Sequence, residues 1–396
     1  MKKAVLQAVF EQFKKGGLTV RYWDGEEVFY GDSEPKVKLI FKQKPPLVAS
    51  IEDPILTFGE YYMDEIIDFE GDVDEISRIV EMNMGALDQN GGGKWMMGRT
   101  LKGLTSVADK LKQRHNIHDH YDLGNDFFAL WLDKTMSYSC GYFKTPQDSL
   151  YDAQLQKIDL ILKKLRLQQG QRLLDIGSGW GWLIIRAAQQ YGVKAVGITL
   201  SEEQYAGTRE RIEKLGLGEQ IQVKLMNYLD LDPAKDQFDR IVSVGMFEHV
   251  GRENLPQYMK KVNELLVPQG LSMLHTITNM IEHEPNAWAR KYIFPGGYVP
   301  SLRETIGLFP DYDFHLLHAE SLRLHYAMTL EHWYKNFSEH LPEVEKKFGR
   351  RFVRMWTLYL RFCASSFRTS GLDIYQILFS KGLNNSLPLT LEEIYR

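Results

Sequence analysis

From residue 150 onward the hydrophobic positions alternate between two spacings. Short apolar runs at 172–176, 194–198, 221–225, 238–245 and 271–278 are bounded by polar or glycine-containing stretches and predict buried strands. At 153–165, 181–191, 202–215 and 255–266 the apolar residues recur every three or four positions, which predicts helices with one buried face. Strands separated by helices of this length build βαβ units, hence a mostly parallel sheet with helices on both faces. The N-terminal stretch is patterned differently. Val5, Val9, Phe10 and Phe13 lie at helical intervals, Gly16-Gly17 ends that segment, and strands are predicted over 18–23, 27–30 and 37–41, with Asp24-Gly25 as a hairpin turn.

Asn90-Gly91-Gly92-Gly93 reads as a flexible linker. The expected division is therefore a small α+β unit over 1–90, a linker with a basic amphipathic segment over 91–114, and an α/β unit over 115–396. In the middle segment Lys94, Arg99, Lys102, Lys110, Lys112 and Arg114 are interleaved with Trp95, Met96, Met97, Leu101, Leu104 and Val107. Such a surface can meet anionic lipid headgroups or serve as a solvated connector.

Composition narrows the picture by exclusion. With 44% hydrophobic and 25% charged residues the 396-residue chain is globular, and at a formal charge of −4 it lacks the basic field of a nucleic-acid binder. Two cysteines, Cys140 and Cys363, exclude a disulfide framework and fit a reducing compartment. The apolar run from Ala4 to Phe10 meets Glu11 and Lys14-Lys15 too soon for a signal peptide, and no window is long and apolar enough to span a bilayer. The expectation is a cytoplasmic protein that would reach a lipid only from the membrane surface. No metal site is expected, because His115, His118 and His120 lack accompanying cysteines or carboxylates at ligand spacing.

In open parallel sheets ligands lie beyond the carboxyl ends of the strands. There the first α/β strand gives way to Asp175-Ile176-Gly177-Ser178-Gly179-Trp180-Gly181-Trp182. A dinucleotide fingerprint would need glycine where Trp182 stands, and an acid at the end of the next strand, where Ile198-Thr199 stand. A D-x-G-x-G-x-G run resembles instead the first motif of the Rossmann-like methyltransferases that bind S-adenosylmethionine. That resemblance implies that Gly177, Gly179 and Gly181 face the methionine moiety and that Asp175 orients the loop, although Asp175 could also cap the following helix. Thr199 and Gln204 are neutral groups suited to ribose hydroxyls, and Met226-Asn227-Tyr228 fall where adenine belongs.

Four further segments are more specific: His120-Tyr121-Asp122-Leu123-Gly124-Asn125-Asp126-Phe127-Phe128, Met136-Ser137-Tyr138-Ser139-Cys140-Gly141-Tyr142-Phe143, Met246-Phe247-Glu248-His249-Val250-Gly251, and Lys291-Tyr292-Ile293-Phe294-Pro295-Gly296-Gly297. With His275 and the glycine loop they closely resemble the cyclopropane-fatty-acid synthases and the mycolic-acid cyclopropane synthases over about 115–396. The N-terminal unit resembles the extra domain of the phospholipid-acting members. The resemblance implies methyl transfer from S-adenosylmethionine to a cis double bond of a membrane phospholipid acyl chain, followed by ring closure. It implies a bicarbonate base held by Cys140, Glu248, His275, Ile277 and Tyr326, cofactor contacts from Tyr138 and Ser139, a homodimer, and peripheral contact with the inner face of the membrane. Tyr121, Phe127, Phe128, Tyr138 and Phe143 could shield a cationic intermediate. Two alternatives remain: a relative that leaves a methyl or methylene branch, and a non-catalytic lipid binder that kept the nucleotide fold.

Overall fold

The computed structural model describes residues 3–46, 53–89 and 123–395. Packing divides the chain into two compact units, each discontinuous in sequence. The first contains the described residues of 1–103 with His283–Pro295 and Leu330–Leu372. Its sheet comprises β1 (Gly17–Arg21), β2 (Glu27–Gly31), β3 (Val37–Phe41) and β4 (Ile67–Gly71), in the order β2-β1-β3-β4. The Asp24-Gly25 hairpin forms as read: β1 and β2 pair antiparallel with Arg21 opposite Glu27. Helix Pro54–Met63, capped by Asp53, and helix Val73–Gln89 both pack on helix Arg350–Thr369. That late helix buries Val353, Trp356, Leu360, Ala364 and Phe367, an apolar stripe at helical spacing. This unit is discontinuous in sequence, because the stripe that covers the N-terminal helices comes from some 300 residues downstream.

The second unit holds the described residues of 104–282 with Gly296–Thr329 and Asp373–Arg396. Its strands are β5 (Arg172–Ile176), β6 (Lys194–Thr199), β7 (Ile221–Leu225), β8 (Phe238–Val244), β9 (Leu266–Asn279), β10 (Phe314–Ser321) and β11 (Leu372–Lys381). They form one sheet in the order β10-β11-β9-β8-β5-β6-β7. From β7 through β9 every neighbouring pair is parallel, and β10 with β11 is antiparallel. The expected α/β class and mostly parallel sheet are thus present. Separate hydrophobic clusters flank the sheet: Tyr258, Met259 and Val262 of helix Leu255–Leu265 anchor one, and Ile161 and Leu162 of helix Leu150–Lys164, with Ile184, anchor the other. The chain leaves β5 toward β6 and β7, then returns to lay β8 on the opposite side of β5. This reversal opens a crevice at the carboxyl end of β5, directly after Ile176.

Candidate active site

The loop after β5 is shaped by its glycines. Gly177 has φ +84° and a Cβ there would meet the Met246 side chain at 2.9 Å, whereas Gly179, at φ +53°, faces open space with nothing within 4 Å. Gly181 caps helix Trp182–Tyr191 in a left-handed conformation, and its lack of Cβ serves packing, since one would press on Thr208 at 2.4 Å. The cap is therefore Gly181, and Asp175 does not cap the helix. Asp175 is instead fully buried at the strand end, and burial pushes its carboxyl up to about 7 against the opposing pull of the Lys157 ammonium.

One pocket collects all the residues expected at the cofactor: Tyr138, Ser139, Asp175, Gly177, Gly179, Gly181, Thr199 and Gln204. Met226, Asn227 and Tyr228 line it as well. Thr199 Oγ1 donates to Gln204 Oε1 at 2.7 Å, which fixes the glutamine with its amide nitrogen turned away from Thr199 as a donor. The aromatic wall has a definite composition: Phe128 and Tyr138 pack against Trp131 with centroids 5.6 and 5.3 Å away, and Phe128 meets Trp180 at 6.1 Å. Phe127 joins this group, whereas Phe143 lies beside His325. Tyr121, the histidine cluster at 115–120 and the basic segment at 95–111 lie outside the described residues.

The five residues expected at the anion are not among those lining the pocket; they come from strand β9, from loops and, for Tyr326, from a helix. Glu248 sits in the turn Phe247–His249 that follows β8, and His275 and Ile277 lie on β9. Glu248 Oε1 accepts from the Ile277 backbone N–H at 2.6 Å, so Ile277 acts by anchoring the carboxyl. Glu248 Oε2 and His275 Nε2 are buried polar atoms with no hydrogen-bond partner among the described residues. Burial pushes the Glu248 carboxyl up, the Ile277 N–H partly opposing it, and burial holds the His275 imidazole well below its ordinary range. Unpaired buried groups of this kind cost about 1–3 kcal/mol each, and such strain concentrates at functional sites. Cys140 is fully buried, its thiol donates to Gly141 O at 3.1 Å, and burial pushes its ionisation up. The adjacent Gly141 N–H donates to Thr329 Oγ1 at 3.0 Å, which ties this loop to the helix carrying Tyr326, itself buried. A neutral, inert thiol makes Cys140→Ser a mild change: the variant is expected to keep at least about a tenth of wild-type turnover. Complete loss in a folded protein supplied with bicarbonate would make the sulfur essential.

Sequence reasoning missed Lys157. Only 3% exposed, it lines the pocket, donates to Ser139 Oγ at 2.8 Å, and is pushed down to about 8 by burial. Asp133, Cys140, Asp175 and His275 all feel its charge. A signal was available: Lys157 lies four residues from both Ala153 and Ile161 on the buried stripe of helix Leu150–Lys164, where a charge is out of place.

Comparison with known proteins adds the lineage. Residues 108–377 match the family described as mycolic acid cyclopropane synthetase. The chain belongs to that family. Residues 5–89 match a second family, described as a domain of unknown function. Across 96% of both chains this protein is 36% identical to a probable fatty acid methyltransferase of Pseudomonas putida. It is 43% identical to the cyclopropane-fatty-acyl-phospholipid synthase of Escherichia coli over 274 residues, 68% of each chain. Among solved structures, a mycolic acid cyclopropane synthase complexed with SAH and CTAB superposes with a TM-score of 0.64 at 34% identity, covering 68% of this chain and 98% of its own. The family member described here is thus an enzyme with the fold of the S-adenosylmethionine-dependent methyltransferases, and it is related to enzymes that modify lipid acyl chains.

Proposed function

We propose that this protein uses S-adenosylmethionine to build a cyclopropane ring across a cis double bond of phospholipid acyl chains. The family, the E. coli relative's substrate and the neighbour solved with SAH, the demethylated cofactor, support the reading. The observation that carries it is the pair of unpartnered buried atoms, Glu248 Oε2 and His275 Nε2, at the ends of strands adjoining a glycine-lined pocket. An ordinary methyl acceptor would need a base to free its own lone pair. An alkene needs none, and what it demands instead is removal of a proton from the transferred methyl.

The pocket fits the cofactor. Gly179 leaves room for it, the Gln204 amide suits a hydroxyl, and Asp175 and Lys157, both lining the pocket, would be available to its charged amino acid groups. When bound, S-adenosylmethionine supplies an electrophilic methyl. Tyr138, which lines the pocket, and Phe128 and Trp131 packed behind it would help keep water from a cationic intermediate. The Cys140 segment, Glu248, His275 and Tyr326, with Ile277 acting through Glu248, would hold a bicarbonate ion that supplies the weak base. Glu248 tolerates an anion beside it if Oε2 accepts the acid proton of bicarbonate, and that hydrogen bond would draw the carboxyl back from its burial-raised pKa.

Incubation with S-adenosylmethionine and vesicles of unsaturated phospholipid tests the reading. The expected product is a fatty acid heavier by one CH2 whose NMR spectrum contains ring methylene protons. A methyl or methylene branch would instead favour the second reading, suggested by the P. putida relative along nearly the whole chain.

Among the described residues no helix is long and apolar enough to cross a membrane, and the proposal is that the substrate is met at a membrane surface. Turnover by the full chain should therefore require vesicles, rise with anionic lipid, and fall several-fold between about 0.1 and 1 M salt, as the screening length drops from about 10 to 3 Å. Equal rates on soluble short-chain alkenes would contradict this. Truncation at residue 85 is a poor substitute, because it uncovers the apolar stripe of Arg350–Thr369.

A further inference from the structure

A buried chain of polar side chains runs from the edge of the sheet to His275. It begins at Glu320 on β10, which is partly exposed and pairs with the ammonium of Lys164, the last residue of helix Leu150–Lys164. Lys164 is fully buried, and its Nζ also donates to Gln376 Oε1 on β11 at 2.7 Å. Gln376, also fully buried, places Nε2 3.2 Å from His275 Nδ1 on the adjacent strand β9.

The chain has only one consistent polarity. An ammonium has three donors and no acceptor, so the Gln376 amide must turn its oxygen to Lys164. Its NH2 group then faces His275, and a donor opposite Nδ1 requires a lone pair there. In a neutral imidazole the proton must then sit on Nε2. Burial and the nearby charges of Lys157 and Lys164 keep the ring neutral. Nε2 is the ring atom without a hydrogen-bond partner among the described residues.

We propose that Gln376 and Lys164 are positioning residues that lock His275 in its Nε2–H tautomer, so that the imidazole enters the reaction site as a hydrogen-bond donor and never as the base. This rests on the reading that places His275 at the site of ring closure. It assigns the histidine the task of holding an oxygen, and it leaves proton removal to another group.

Ring-nitrogen NMR of the 15N-labelled full chain tests the proposal, with the His275 resonances identified by their loss in His275→Gln. The wild type should give the pattern of an Nε2–H imidazole. Gln376→Glu places a carboxylate opposite Nδ1 and should convert the ring to the Nδ1–H form. It should lower turnover on unsaturated vesicles about a hundredfold while leaving the KM for S-adenosylmethionine unchanged. Gln376→Met, close in volume and without a donor, should give a mixture of tautomers and an intermediate rate, and it serves should the glutamate variant not fold. An Nδ1–H wild type, or a folded Gln376→Glu that keeps the wild-type pattern, would overturn the proposal. The spectra are read without turnover, so full activity of His275→Ala with the expected tautomer would count against the reaction-site reading and not against the lock.

Discussion

Gly179→Val is expected to weaken S-adenosylmethionine binding about a hundredfold or more, equivalent to at least ~2.7 kcal/mol, while the protein still folds. The substitution puts a branched side chain into the open space that the glycine loop leaves inside the pocket. Its folding penalty comes only from the left-handed backbone at φ +53°, about 1–2 kcal/mol, which lowers the Tm by a few degrees. Gly177 is a less discriminating target, because a side chain there collides with Met246 before it reaches any ligand. Calorimetric titration alongside a thermal melt separates the two effects. Unchanged affinity in folded Gly179→Val would remove the cofactor assignment.

His275→Ala and Glu248→Gln should each lose about a hundredfold or more in turnover, the scale of a positioned proton transfer, with cofactor affinity nearly constant. For Glu248→Gln the reason is geometric. The Ile277 N–H must keep an oxygen opposite it, so the new amide places NH2 where Oε2 stood, and two donors then face each other if an acid anion points its proton there. Full activity of the glutamine variant would mean that Glu248 works as a neutral acid. Single-turnover measurements at saturating cofactor distinguish these results from a binding defect.

The strand–helix alternation and the glycine loop were legible because they are local: periodicity and the residues after a strand are read within a dozen positions. β5, β7 and β3 have the boundaries their apolar runs predict, and β6 differs by one residue. β9 begins at Leu266, earlier than the run at 271–278, because pairing with β8 continues past an irregularity near Phe238. The relations that prepare the site were not legible. Lys164 and Gln376 lie 212 positions apart, and Gln376 and His275 lie 101 apart. Neither Lys157 nor Lys164 belongs to a motif, and Gln376 reads as one of several polar positions on β11, beside Asp373 and Ser380. Glu248 and Ile277 could be named from a resemblance, but not the bond between them, which depends on β8 and β9 being neighbours. The helix that covers the first compact unit was not legible for the same reason, since it arrives from the far end of the chain.

The reversal of strand order at β5 has an evolutionary consequence. The loops after β5 and β6 are proposed to grip what is common to every methyl transfer, while three of the groups proposed to bear on the fate of the cation, Glu248, His275 and Gln376, come from the β8, β9 and β11 side on the other flank. Under that proposal, substitutions at Glu248, His275 or Gln376, none of which lines the pocket, would change how the intermediate is quenched without first disabling the donor's seat. Such an arrangement would let a lineage explore ring and branch products by small steps, each variant still able to deliver a methyl group.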